Sequence, residues 1–136
     1  MNDLKSFFTD KGTKFIFKKD QVIYSQGAHS NFTYLILKGI VKLHQLDKNG
    51  KELTTKLNKV GDLFGYTSFT ENITYQETAT TIMESKLVGV SKQELKSILD
   101  ENHGVTLELI QLLTEDLSGI KEHLVHMAYS NVNKKT

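Results

Sequence analysis

Five histidines, at positions 29, 44, 103, 123 and 126, are the side chains best suited to bind a metal or move a proton near neutral pH. Only His123 and His126 fall within one helical turn of each other. A pair without a third ligand is a weak metal site, and Glu122 points about 100° away from it on a helix. His29 and His44 stand alone in the sequence, without partners for a metal cluster. The chain has no cysteine, which removes disulfides, thiolate metal centres, iron–sulfur clusters and cysteine nucleophiles. It carries no G-x-S-x-G, no P-loop and no G-x-G-x-x-G. These residue types point to a chain that is not an enzyme.

Binding chemistry is better represented, in the stretch Gly61 to Ala79, GDLFGYTSFTENITYQETA. Glycines at 61 and 65 allow the positive φ or close backbone approach of a cradle for a small anion. The charges oppose that use. From Gly61 through Ser85 there is no Lys, Arg or His, while Asp62, Glu71, Glu77 and Glu84 are all present, and all 17 basic residues of the chain are lysines.

The elements that hold this stretch come from a single-domain length of 136 residues, 38% hydrophobic and 24% charged, with a formal charge of +1. So balanced a charge gives no field to hold a polyanion, and no basic patch precedes Lys134 and Lys135. The N-terminus lacks a signal-peptide pattern, and no apolar run approaches the ~18 residues of a membrane span, so a cytoplasmic protein is expected.

Residues 2–9 pattern as a short helix through Leu4, Phe7 and Phe8. Strand character follows from Lys14 to Lys18, Gln21 to Ser25, Phe32 to Leu37, Ile40 to Leu46 (Val41, Leu43 and Gln45 on one face), 52–57, Thr78 to Met83 and Lys86 to Val90. Asn49-Gly50 predicts a tight hairpin turn with two positive φ values. Seven or eight short strands with glycine turns make the chain mainly β with α: a double-stranded β-helix, that is a β-roll or jelly roll, spanning 1–104.

Ser91-Lys92-Gln93-Glu94 is a capping box that opens a helix carrying Leu95, Ile98 and Leu99. Val105 to about Ala128 then reads as one long helix of ~36 Å. Ile110, Leu113, Leu117, Ile120, Leu124 and Met127 repeat at three and four residues, a heptad seam that fits a homodimer, while Val105, Leu109 and Leu112 beside it fit docking on the roll.

In this order the motifs resemble the N-terminal sensory domain of the Crp/Fnr family of bacterial transcription regulators. The resemblance rests on Gln21 to Gly27, on Tyr34-Leu35-Ile36-Leu37-Lys38-Gly39 with Val41-Lys42-Leu43, on Lys48 to Leu53, and on Gly61-Asp62-Leu63-Phe64-Gly65. It implies a cyclic-nucleotide-binding-like β-roll, a dimerisation helix at 105–128, and at 129–136 the start of a hinge to a DNA-reading winged helix-turn-helix that these residues do not include. DNA binding would belong to that absent domain, and the chain is expected to be a fragment of a regulator.

The family's nucleotide cassette resembles F-G-E followed by R-(S/T)-A. Phe64-Gly65 and Thr78-Ala79 keep their types, but Tyr66 stands where the ribose-binding glutamate is expected and Glu77 where the phosphate-binding arginine is expected. At ~4 Å and an effective dielectric of ~20, a like charge costs on the order of 4 kcal/mol. The resemblance therefore implies an effector pocket of Phe64, Gly65, Tyr66, Thr67, Ser68, Gln76, Glu77, Thr78 and Ala79, with Thr114 and Ser118 from the long helix, for an unknown small molecule that is not cyclic AMP. No cofactor or metal is expected. The alternatives are a true cyclic-nucleotide binder using backbone amides and a distant lysine, and a metal-dependent cupin-like enzyme.

Overall fold

The computed structural model describes residues 3–29, 31–65 and 74–116, with side chains up to 112 in the last segment. Helix α1 (Asp3–Lys11) precedes eight strands: β1 (Thr13–Phe17), β2 (Val22–Tyr24), β3 (Phe32–Lys38), β4 (Val41–Leu46), β5 (Glu52–Asn58), β6 (Leu63–Phe64), β7 (Thr78–Thr81) and β8 (Ser85–Ser91). Helices α2 (Lys92–Glu101) and α3 (His103–Asp116) follow. The strands form two four-stranded sheets, β1-β8-β3-β6 and β2-β7-β4-β5, and every pairing is antiparallel. The expected roll is present.

The apolar run in β3 has a physical reason, because its sheet is covered on both faces. Leu35, Leu63, Val88 and Val90 pack with Leu4 and Phe8 of α1, Leu95 of α2, and Val105 and Leu109 of α3. Tyr34, Ile36, Phe64 and Leu87 turn the other way and meet Val41, Leu43 and Ala79 inside the roll. Gly39 joins β3 to β4 at φ +108°, and a Cβ there would lie 2.1 Å from Ser85 Oγ, so the turn admits only glycine.

One local expectation needs correction and another gains detail. The 47–51 turn has only Gly50 at positive φ. Asp47 Oδ1 accepts from both Asn49 and Lys51 amides at 2.8 Å, and Gly50 N donates to Asp47 O, so an aspartate-braced five-residue loop replaces the Asn-Gly hairpin. Ser91 does cap α2, accepting from Glu94 N at 3.2 Å, but Glu94 reaches back to accept from the serine hydroxyl at 2.9 Å. Asn102 then caps both helices, donating its N–H to Ile98 O and accepting from Val105 N at 3.2 Å through Oδ1.

Helix α3 docks through Val105, Leu109 and partly buried Leu112, while Ile110 of the seam is 54% exposed. Leu113 lies in this helix, its side chain outside the description, and Leu117, Ile120, Leu124 and Met127 lie outside the described residues.

Candidate functional site

A cleft opens at the mouth of the roll, lined by Tyr24, Leu43, Lys56, Asn58, Leu63, Phe64, Gly65, Tyr75, Gln76 and Glu77. Five strands or their ends supply it. The described walls enclose about 60 Å³, well below the ~300–1,000 Å³ of a full small-molecule site, and residues 66–73 lie outside the description.

An irregularity in β5 decides what faces the cleft. Val41 pairs with Asn58 and Leu43 with Lys56, but His44 pairs with Thr54, so Thr55 is an extra residue in the ladder. A one-residue bulge exchanges the two faces of a strand beyond it. Here it turns Lys56 and Asn58 inward with buried Val41 and Leu43, and leaves Leu57 56% exposed. Thr55 itself donates to Glu77 Oε2 at 2.6 Å, and its hydroxyl lies 3.2 Å from Leu43 O.

Of the residues expected at the site, Phe64, Gly65, Gln76 and Glu77 meet in the cleft. Thr78 and Ala79 are adjacent but outside its lining: Thr78 Oγ1 accepts from Gln26 N at 2.9 Å, and Ala79 is fully buried between Tyr24 and Leu43. Tyr66, Thr67, Ser68 and Ser118 lie outside the described residues, as does the Thr114 side chain. Gly65, at φ +81°, has Phe32 O 3.1 Å from where a Cβ would stand. The tyrosines make an aromatic wall: Tyr24 and Tyr75 stack with centroids 3.7 Å apart, and the Tyr75 hydroxyl donates to Phe32 O at 2.7 Å. Burial, with the nearby Tyr75, pushes the Tyr34 phenol well above its ordinary range.

Sequence reasoning missed Lys56 and Asn58. The available signal was inverted polarity, since β5 exposes Leu53 and Leu57 and buries an asparagine. His44, read as lacking partners for a metal cluster, has Nε2 3.1 Å from Thr80 Oγ1 and Nδ1 3.2 Å from Glu52 Oε1, the latter off hydrogen-bond geometry. The hydrogen bond from Lys42 Nζ holds the Glu52 carboxyl below the usual range. Among the described residues no group of three or more His, Cys, Asp or Glu side chains could hold a metal ion, and no helix is long and apolar enough to cross a membrane. His123 and His126 lie outside the described residues.

The family model for the cyclic nucleotide-binding domain matches residues 14–102. An anaerobic regulatory protein of Bacillus subtilis is 26% identical over 92% of this chain and 55% of its own length. A CRP-like cAMP-activated global transcriptional regulator of Mycobacterium tuberculosis is 22% identical over 85% of the chain and 52% of its own. The chain thus spans about half the length of these curated relatives. Among solved structures, the catabolite activator protein of Thermus thermophilus superposes with a TM-score of 0.80 at 19% identity, covering 95% of this chain and 61% of that one.

Proposed function

The chain belongs to the cyclic nucleotide-binding domain family, and from that premise we propose that it is the effector-sensing and dimerisation part of a Crp/Fnr-type transcription regulator. The two relatives' names, both of regulators, support this reading, and in it DNA contact belongs to a part of the regulator outside this chain. It performs no catalysis. Its effector is a small molecule other than cyclic AMP, and it works in the cytoplasm as a homodimer.

The observation that carries the effector reading is Glu77 in the cleft, a carboxylate held by its bond to Thr55 at the position where the resemblance to nucleotide sensors implies a phosphate-binding arginine. Effector binding would bias one of two arrangements of the paired long helices, so the ligand must bind one arrangement more tightly than the other. Lys56, in the same cleft, favours a second reading, a true cyclic-nucleotide binder with a lysine in place of the arginine. Lysine offers a point charge without the bidentate fork that grips a phosphate, which makes it the poorer substitute. Titration calorimetry with cyclic AMP and cyclic GMP separates the two. No saturable heat is expected, and micromolar binding of either nucleotide overturns the first reading in favour of the second.

A further inference from the structure

Asn58 ends β5 opposite Val41, and its side chain is 1% exposed. Neither its Nδ2 nor its Oδ1 has a hydrogen-bond partner among the described residues. Buried amides are nearly always paired, because donor and acceptor both give up water on folding. Asn58 lines the cleft beside Lys56, Gly65, Tyr75 and Glu77, so a ligand seated against it would supply the partners its amide lacks.

The amide specifies the chemistry of that ligand. One asparagine presents a donor and an acceptor in a single plane. A carboxylate or phosphate can pair only Nδ2, and an ammonium only Oδ1; each leaves the other atom buried and unsatisfied. A molecule with its own adjacent donor and acceptor satisfies both. Lys56 and Glu77, the ionisable side chains of the lining whose charges matter at neutral pH, are opposite in sign, so the cleft favours no net charge. Phe64 and the stacked Tyr24 and Tyr75 supply flat apolar surface for a ring. Resting on the effector-sensing reading above, we infer that the effector is a neutral aromatic carboxamide or lactam, held by a pair of hydrogen bonds to Asn58.

Nitrogen-15 NMR of the 136-residue chain, titrated with benzamide, benzoate and cyclic AMP, tests this. The Asn58 side-chain NH₂ signals are identified by their loss in Asn58→Asp. Benzamide is expected to shift them saturably, benzoate to bind at least fivefold more weakly, and Asn58→Asp to weaken benzamide at least fivefold. A second variant, Asn58→Leu, is expected to melt no lower than wild type while losing benzamide, which a purely structural asparagine would not do. Equal responses to benzamide and benzoate overturn the inference, as does an Asn58→Leu variant that melts lower and still binds benzamide. If cyclic AMP alone shifts the cleft signals, the carboxamide assignment fails and a sensing cleft stands. If none of the three moves them, the carboxamide assignment fails, while the sensing reading, which expects no cyclic AMP binding, stands.

Discussion

The Thr55 hydroxyl donates a 2.6 Å hydrogen bond to Glu77 Oε2, tying the edge strand β5 to the residue that leads into β7 across the mouth of the cleft. The bond fixes a negative charge where the resemblance to nucleotide sensors implies a positive one. Replacing Glu77 with arginine removes the repulsion and adds a fork for phosphate. Glu77→Arg is expected to raise affinity for cyclic AMP at least tenfold, about 1.4 kcal/mol or more, by calorimetry. An unchanged affinity would show that Glu77 does not meet the phosphate.

Gly39 is predicted to tolerate no side chain. With φ at +108° and Ser85 Oγ 2.1 Å from where a Cβ would stand, alanine combines backbone strain with a clash. Gly39→Ala should lose about 1–3 kcal/mol of stability, the range of a strained backbone position, in urea unfolding followed by circular dichroism. A loss under ~0.5 kcal/mol, the size of an ordinary surface change, would mean the turn relaxes.

Alkaline pH should unfold the chain partly through Tyr34. Its folded-state pKa is raised by burial, so the folded state holds the phenolic proton more tightly than the unfolded state does. That contribution is complete below the unfolded value of about 10 and is lost as pH climbs toward the folded value. Between pH ~9.5 and ~11 wild type should lose stability more steeply than Tyr34→Phe, by up to about 1.4 kcal/mol per pH unit. Parallel curves would contradict this.

Self-association should depend on the seam of the long helix. Light scattering is expected to give wild type twice the 15.4 kDa chain mass, and Leu117→Asp or Leu124→Asp the single mass, since a buried unpaired carboxylate is costly at a coiled-coil position. A monomeric wild type sinks the proposed dimer.

Most strand segments and the glycine turns were legible in the sequence because they are local. Gly27, Gly39, Gly50, Gly61 and Gly65 all carry positive φ, so the residues behind the family resemblance are those the backbone most constrains. Docking of α3 through Val105 and Leu109 was legible from their offset beside the seam. The cleft was only half legible. Phe64, Gly65, Gln76 and Glu77 come from one stretch, whereas Tyr24, Leu43, Lys56 and Asn58 arrive from β2, β4 and β5 by pairing between distant segments. Nor does Asn49-Gly50 show that Asp47 will brace the turn and leave Asn49 in an ordinary conformation.

The extra residue at Thr55 makes the charge of the cleft a matter of counting. Deleting it would straighten β5 without changing the pairs on either side, Val41 with Asn58 and His44 with Thr54, so Lys56 and Asn58 would keep facing inward. What would go is the hydroxyl that holds Glu77. In a roll built this way, a length difference of one residue in the edge strand frees or fixes a carboxylate at the cleft without touching its floor, and it is the first place to look when two such sensors answer to different signals.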